Sequence, residues 1–510
     1  MAQESEIEDS NCKTTPETLL QGRSLIIVSN RGPFSFFEDE NENLQIQRSG
    51  GGLVTALLGL TQNIDVTWIA SAINDIERDW KGGELSLDDN GRAIDLQLVP
   101  LDADVYNGYY NIISNPLLWF LQHSMWDSIT SPTITKTTWD AWKNGYVAAN
   151  QKFAQAIAQR VKSEKGRSIV MIQDYHLYLV PRMLRQILRK SRRARDFTLT
   201  HFVHIPWPGS EELRILPREI RQAILEGLTA ADILGFQTYA DSVNFLQSVA
   251  THLPGATVSY KKRRVWYRNH PTTVRDFPIS IDVKNLQEQA ESEEVKMQKE
   301  LLLQMAQGKS IILRVDRTEP SKNIVRGFEA FDQLLEQHPE HCENVIFIAL
   351  LVPSRLEVDE YHDYHDKFMA AAGWVNSKYG TSDWEPIRVM LGENYARAVA
   401  GLELYDVLLV NSIADGMNLV AKEGPAVNQK DGVLVLSEST GAFQQLQHGA
   451  IVVSPCDIQS TAEALHQALT MPAGERQARA AMLRRQVEEN DINAWFCDQI
   501  REISRLGYLP

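Results

Sequence analysis

The run Asp415-Gly416-Met417-Asn418-Leu419-Val420-Ala421-Lys422-Glu423 follows an apolar stretch, Val407-Leu408-Leu409-Val410, and opens a helical pattern. A strand–loop–helix turn of this kind gathers free backbone N–H groups and the positive end of a helix dipole at one point. That suits an anion, above all a diphosphate. Asp415 begins the turn and Glu423 lies about two turns into the helix. Carboxylates in these places can accept hydrogen bonds from sugar hydroxyls, so one segment offers both halves of a nucleotide-sugar site. An ordinary capped helix would carry the same residues.

A second loop, Arg317-Thr318-Glu319-Pro320-Ser321-Lys322, follows the apolar run Ile311–Val315. Pro320 stiffens it. Arg317 and Lys322 there would stabilise the charge that grows on a departing diphosphate. A solvated loop with plain ion pairs is the competing reading. Arg48-Ser49-Gly50-Gly51-Gly52-Leu53 lets backbone N–H groups approach a phosphate, or is simply a flexible turn. No GxGxxG and no GxxxxGK[ST] is present, so neither dinucleotide nor P-loop chemistry is supported.

Asp174-Tyr175-His176 and His204-Ile205-Pro206-Trp207-Pro208 each end a candidate strand. Asp174 could hold a sugar hydroxyl. His204 could donate to a sugar or to a backbone carbonyl. Tyr109-Tyr110-Asn111 and Trp119 could wall a sugar site or belong to the core. Ser354-Arg355 ends another strand and could meet a phosphate. His362 and His365 have no third ligand in view, so no metal site is expected. Lys261-Lys262-Arg263-Arg264 with Trp266 and Tyr267 reads as a hairpin with a solvated face, and Arg189–Arg195 as a solvated helix end.

The elements that must position these groups are short apolar runs alternating with helical patterns. Candidate strands are Leu25–Ser29, Val66–Ala70, Ile169–Ile172, Leu199–Val203 and Ile233–Phe236, then Ile311–Val315, Val345–Leu351, Val407–Val410, Val433–Leu436 and Ile451–Val453. About five strands thus lie on each side of the charged helical region Val283–Gln307, which predicts two parallel α/β sheets facing across a cleft. The expected units are a disordered tail over 1–22, a Rossmann-like acceptor domain over 23–280 and a nucleotide-sugar domain over 281–485. A final helix over 486–510 should pack back on the first domain.

The chain has 510 residues, 43% hydrophobic, with a formal net charge of -15. That charge argues against a nucleic-acid partner, whose phosphates need a basic face. The four cysteines show no CxxC pairing, which fits a reducing compartment. No apolar stretch approaches the ~18 residues of a membrane span, and the acidic N-terminus is no secretion signal. A cytoplasmic protein is expected.

Together these segments resemble one family, the retaining glycosyltransferases of trehalose-6-phosphate synthase type (glycosyltransferase family 20). The landmarks run in order from about Leu25 to Leu506. They are Ser29-Asn30-Arg31, Gly50–Leu53, Tyr109–Asn111 with Trp119, Asp174–Leu177, His204–Pro206, Gly235–Tyr239, Arg317 with Lys322, Ser354-Arg355 and Asp415–Glu423. The resemblance implies an α/β GT-B fold and transfer of glucose from a nucleotide donor, usually UDP-glucose, to glucose 6-phosphate. It implies that Arg317 and Lys322 bind the donor diphosphate, with backbone N–H groups near Gly51, Gly52 and Gly416 to Val420 (Met417, Asn418 and Leu419 between them). Glu423 would bind the ribose, and Asp415 and His204 the donor glucose. Asp174 would hold the acceptor sugar, with Arg31, Tyr110, Trp119 and Arg355 around its phosphate. No cofactor, metal or membrane partner is implied, and a homo-oligomer is compatible with it.

Two departures point elsewhere. The phosphate loop of the family reads closer to Arg-Leu-Asp-Tyr-Ser-Lys-Gly, and Trp207 stands where Phe is usual. Both are similar to the pseudo-glycosyltransferase branch, which would take another phosphorylated acceptor such as a cyclitol or glycerol phosphate. A catalytically silent regulatory member is a further alternative. So is a pyridoxal-dependent phosphorylase of the same shape.

Overall fold

Two parallel sheets carry the molecule, and both have the strand order of a doubly wound fold. The computed structural model describes Leu20 and residues 23–38, 44–48, 66–86, 93–354 and 359–506. Gly51, Gly52 and Arg355, and all of the 1–22 tail except Leu20, lie outside the described residues. The first sheet has ten strands. Its parallel part runs Ala93–Pro100, Val66–Ala72, Ser24–Val28, Ser168–Gln173, Phe197–Phe202, Ile233–Phe236, His270–Asp276. Gly83–Ser86 adds an antiparallel strand at one edge, and the hairpin Thr257–Ser259/Arg264–Tyr267 closes the other. The second sheet has six parallel strands in the order Ile387–Leu391, Val345–Val352, Ser310–Arg317, Val407–Val410, Val433–Ser437, Ile451–Val453.

The central strands form because they are apolar along their whole length. Val407–Val410, Val433–Ser437 and Ser168–Gln173 are buried at every residue, as a strand covered by helices on both faces must be. In each sheet the first strand in sequence lies at the centre, and the chain winds outward from it in both directions. The reversal leaves a crevice at the carboxyl ends of two neighbouring central strands. In the first sheet these are Ser24–Val28 and Ser168–Gln173. In the second they are Ser310–Arg317 and Val407–Val410.

About five strands on each side was an undercount. Ala93–Pro100, Gly83–Ser86 and His270–Asp276 escape an apolar-run search because polar residues interleave them. Ile387–Leu391 is an edge strand that is buried only at its first residue. The ribbon Phe34–Glu38/Leu44–Arg48 stands outside both sheets. The charged region Val283–Gln307 is two helices, Val283–Ala290 and Glu293–Ala306, split where the Ser292 hydroxyl caps the second by accepting from Val295 N–H. The Lys261–Tyr267 segment is the expected hairpin.

An extended crossing joins the two sheets. Trp495, on the terminal helix Ile492–Arg505, donates its Nε1–H to Phe277 O at 3.0 Å and packs edge-on against Phe202. Ile492 N–H donates to Ile281 O, and Arg275 pairs with buried Glu502 at 2.8 Å. The terminal helix thus packs against the first sheet. Among the described residues no helix is long and apolar enough to cross a membrane.

Trp495→Ala should cost about 3–5 kcal/mol, as removal of a buried indole does. Trp495→Phe keeps most of the ring and loses only the Nε1 bond, so it should cost about 1 kcal/mol. Denaturant midpoints of the two variants against wild type measure both.

Candidate active site

The four loops at the two switch points carry most of the residues singled out from sequence. On the second sheet, Lys322 Nζ meets Asp415 Oδ2 at 2.5 Å. Asn418 Nδ2 at 3.0 Å and Ser412 Oγ at 3.4 Å donate to that same oxygen. Among the described residues nothing bonds Oδ1, which leaves it for a ligand. Burial alone would favour a neutral Asp415. The Lys322 ammonium outweighs that and holds the carboxyl below its usual range. Burial likewise works against a charged Lys322, but Asp415, Asp316 and Glu319 together raise it. The loop therefore keeps a charged ammonium ready for an anion.

Arg317 is half exposed and pairs with the fully buried Glu319 at 3.0 Å. The loop between them is fixed from beneath by Arg314, which the sequence reading did not single out. This side chain is completely buried on its strand. It pairs with Asp316 at 3.0 Å and donates to Lys322 O at 2.7 Å and Asn411 Oδ1 at 3.0 Å. Asn323 adopts the left-handed conformation at φ 58° and donates from Nδ2 to Asn411 O and Pro455 O. The phosphate-type loop is thus stapled to the end of the neighbouring strand.

Gly416 is a glycine because the two domains touch there. A Cβ at Gly416 would lie 1.8 Å from the His204 carbonyl oxygen. Met417 is buried behind it. Met417 O accepts from Ala442 N–H, and Asp415 O from Gly441 N–H. Leu419 and Val420 begin the helix Val420–Val427. Two residues of that helix carry unusual charges. Lys422 is fully buried with no carboxylate partner, and burial pushes it down to about 7. Its Nζ donates to Ile279 O at 2.6 Å in the crossing. Glu423 has no ion-pair partner among the described residues, and burial pushes it up to about 7.

Across the cleft, Asp174 follows its strand at φ 74°, ψ 175°. That region is close to glycine-only and costs about 1–3 kcal/mol, a strain that tends to collect at functional sites. Asp174 Oδ1 accepts from the His204 backbone N–H at 3.1 Å. The His204 ring is held on both nitrogens, by Gln173 Oε1 at 2.8 Å and Gln237 Nε2 at 3.3 Å. Burial, and then the charge His201 would carry, push His204 down to about 3, so it is neutral. Arg31 is exposed at the end of the first strand. Its backbone oxygen accepts from Ser29 Oγ at 2.6 Å.

The aromatic cluster divides. Tyr109 is core, fully buried and donating to Asn30 Oδ1 at 3.0 Å. Tyr110 is partly exposed and stacks on His176 with centroids 5.7 Å apart. Trp119 is 2% exposed and packs 6.0 Å from Tyr361 of the second domain, so it forms part of the domain contact. His123, also unforeseen, stacks on Trp119 at 3.9 Å and donates from Nδ1 to Trp119 O at 2.8 Å. Burial pushes it down to about 4, and the charges of Asp415, Glu319 and Lys322 reach it. Its only sequence signal is helical i,i+4 spacing from Trp119.

One His/Glu group among the described residues brings ligand atoms within 4.8 Å of one another: His338, Glu340 and His466. The His338 and His466 rings stack at 3.6 Å and 11°. Parallel rings aim their in-plane lone pairs side by side and do not converge on one ion. The group lies where the helix Ile324–Gln337 ends, before Val345–Val352 begins, at the end of the sheet opposite the cleft.

Gly416→Ala should force the two backbones apart and lower turnover roughly a hundred-fold, the scale of a misplacement near 1 Å, with circular dichroism unchanged. The pH dependence of stability carries a second signature. Glu423 holds a proton in the folded protein that the unfolded chain releases above its ordinary 4.5, so its contribution to stability is full below 4.5 and lost as pH rises through about 7. Lys422 acts oppositely. Between about 7 and its ordinary 10.5 the unfolded chain binds the extra proton, so stability rises with pH there. Denaturant midpoints of Glu423→Gln should lose the fall below neutrality, and those of Lys422→Met the rise above it.

Comparisons with known proteins agree with this geometry. The model of glycosyltransferase family 20 matches residues 23–505. The UDP-forming alpha,alpha-trehalose-phosphate synthase of Schizosaccharomyces pombe is 34% identical over 95% of this chain and 91% of its own. That of Candida albicans is 32% identical over 90% and 92%. Among solved structures, the E. coli trehalose-6-phosphate protein bound with UDP-2-fluoro glucose superposes with a TM-score of 0.80 at 28% identity, covering 94% of this chain and 98% of that one. A Burkholderia xenovorans UDP-forming alpha,alpha-trehalose-phosphate synthase in complex with glucose-6-phosphate gives 0.79 at 26% identity, covering 95% and 100%. With two Rossmann-like sheets facing across a cleft and the family model spanning nearly the whole chain, this protein belongs to glycosyltransferase family 20, the trehalose-6-phosphate synthase family of GT-B glycosyltransferases.

Proposed function

We propose that the protein transfers glucose from UDP-glucose to glucose 6-phosphate, with retention, to give α,α-trehalose 6-phosphate. The observation that carries this reading is the Lys322–Asp415 pair at one switch point, facing Asp174 and His204 at the other. A cation for a diphosphate and carboxylates for sugar hydroxyls meet where two doubly wound sheets bind their ligands. The names of the relatives support the same donor and acceptor.

In this reading Arg317 and Lys322 bind the donor diphosphate, together with backbone N–H groups near Gly51, Gly52 and Leu419. Glu423 takes the ribose; a protonated or hydrogen-bonded carboxyl suits a hydroxyl-rich ligand in a poorly solvated place. Asp415 and His204 contact the donor glucose. Asp174 holds the acceptor sugar, and Arg31, Tyr110, Trp119 and Arg355 surround its phosphate, for which arginine and a phenol are fitting donors.

The bond from the anomeric carbon to the diphosphate breaks, and the acceptor hydroxyl attacks from the same face. The departing phosphate oxygen takes the acceptor's proton and leaves as UDP. No protein nucleophile is needed. Lys322 and Arg317 stabilise charge on the leaving group, and Asp174 and Asp415 orient the two sugars. Lys322 is neutralised by Asp415 before donor binds. A diphosphate then shares its charge.

The two sequence departures bear weakly on the acceptor. Trp207 is buried in the core and donates from Nε1 to Ser248 Oγ. Thr318 and Glu319 are fully buried. Glu319 also pairs with Arg317, so the loop departure lies beside the cations assigned to the diphosphate and not beside the acceptor groups.

Purified protein should release UDP only when UDP-glucose and glucose 6-phosphate are both present, with an α,α-linked product by NMR. Donor binding without transfer to glucose 6-phosphate, but with transfer to a cyclitol or glycerol phosphate, would overturn the acceptor assignment. Arg317→Ala should lower turnover roughly a hundred-fold or more, as loss of one charge-stabilising donor does.

A further inference from the structure

A chain of hydrogen bonds runs from the donor-side helix to His204. Lys422 Nζ donates to Ile279 O at 2.6 Å. The N–H of the same residue, Ile279, donates to Gln237 Oε1 at 2.9 Å. Gln237 Nε2 then meets His204 Nδ1 at 3.3 Å, and His204 Nε2 meets Gln173 Oε1 at 2.8 Å. Gln237 and Gln173 are 2% and 0% exposed, so water does not compete for these groups.

The chain has a direction, because backbone groups can act in one sense only. Ile279 N–H can only donate, so Gln237 must present Oε1 to it and its NH₂ to His204. His204 Nδ1 must therefore accept. Met171 O can only accept, and Gln173 Nε2 faces it at 3.4 Å, so Gln173 presents Oε1 to His204. His204 Nε2 must therefore carry the hydrogen. Two independent backbone anchors give the same tautomer, and a ring in that form offers its substrate a donor.

We propose that Gln237 is a positioning residue that locks His204 as the Nε2–H tautomer, and that the interdomain crossing, tied to the donor-side helix by Lys422, holds Gln237 in place. Donor-site geometry and the hydrogen-bonding sense of His204 are thereby coupled through one backbone residue, Ile279. A donor sugar oxygen that shares the Nε2 hydrogen with Gln173 receives a hydrogen bond and meets no competing lone pair. This role for His204 rests on the glucosyl-transfer reading. The tautomer itself does not.

The groups facing the ring are Gln173, Gln237, Phe202 and Trp495, with His201 close enough to act by charge. Asp174 binds the His204 backbone N–H. In the wild type none of these stabilises an imidazolium strongly. A carboxylate at position 237 would face Nδ1 directly.

Protein labelled with 15N-histidine tests this through long-range 1H–15N spectra, with the His204 signals identified by their loss in His204→Asn. Wild type should show the Nε2–H pattern for His204, unchanged from about pH 5 to 9, a range that spans the ordinary histidine value. Gln237→Leu combined with Gln173→Leu removes both anchors and should lose that single tautomer. Gln237→Glu, nearly isosteric, should convert His204 to an imidazolium that titrates within the range. Both should lower kcat with UDP-glucose and glucose 6-phosphate roughly ten- to hundred-fold, the scale of a misplaced reacting group, with KM for the acceptor near wild type. Lys422→Met leaves both anchors in place and should keep the Nε2–H pattern while lowering kcat by less. An Nδ1–H pattern in wild type, or an unaltered Nε2–H pattern in both Gln237 variants, would overturn the proposal. A wild type that shows the Nε2–H pattern yet transfers no glucose would instead refute the functional reading and leave the positioning role standing.

Discussion

The crossing Phe277–Asp282 sets how the two sheets face each other. Alternate carbonyls of this extended segment point the same way; the terminal helix holds two of them and the helix Val420–Val427 holds the third. Phe277 O takes the Trp495 indole, Ile279 O the Lys422 ammonium and Ile281 O the Ile492 N–H. A buried backbone carbonyl left unpaired costs about 1–3 kcal/mol, so all three bonds favour one relative placement of the first sheet, the helix Val420–Val427 and the terminal helix. Lys422 is the unusual member. It is buried without an anion, and burial lowers its pKa to about 7. That burial is tolerated at neutral pH because the group gives up its charge readily and still donates to a carbonyl.

The second switch point is built around charge concentrated in a poorly solvated place. Arg314 with Asp316 lies beneath the loop, and Lys322 with Asp415 lies within it. Buried pairs of this kind contribute little net stability, because desolvation consumes much of the Coulombic gain. Their value is geometric. Arg314 holds the Lys322 carbonyl while Asp415 holds its ammonium, so both ends of one residue are fixed before any ligand arrives. Preorganised charge need not reorganise when a phosphate charge develops.

Strain and close approach mark the other contacts across the cleft. Asp174 keeps a backbone conformation that suits glycine, and the Gly416 backbone abuts the His204 carbonyl. Neither would persist without the surrounding packing. Both place functional groups nearer to one another than relaxed backbone would allow.

Much of this was legible in the chain. Short apolar, β-branched runs such as Val407–Val410, Ile169–Ile172 and Ile311–Val315, alternating with helical patterns, read as buried parallel strands, and the loops that follow them hold Asp415, Asp174 and Lys322. Ordered landmarks then pointed to the family, and the sheets have the expected two-domain form. Less was legible where polar residues interleave a strand, as in Ala93–Pro100, or where an edge is half exposed, as in Ile387–Leu391. Tyr109 and Trp119 could not be divided between site and core from spacing alone, since an aromatic ring serves either. Gln173 and Arg314 carried no signal that set them apart, Gln237 only its place in the landmark Gly235–Tyr239, and His123 only its spacing from Trp119. Periodicity and turn chemistry are local, so the sequence by itself determined the strands, the switch-point loops and the charges on them. Tertiary structure alone decided which nitrogen of His204 carries the hydrogen, which aromatic faces the cleft and how Lys422 reaches Ile279, because each depends on hydrogen bonds or packing between residues far apart in the chain.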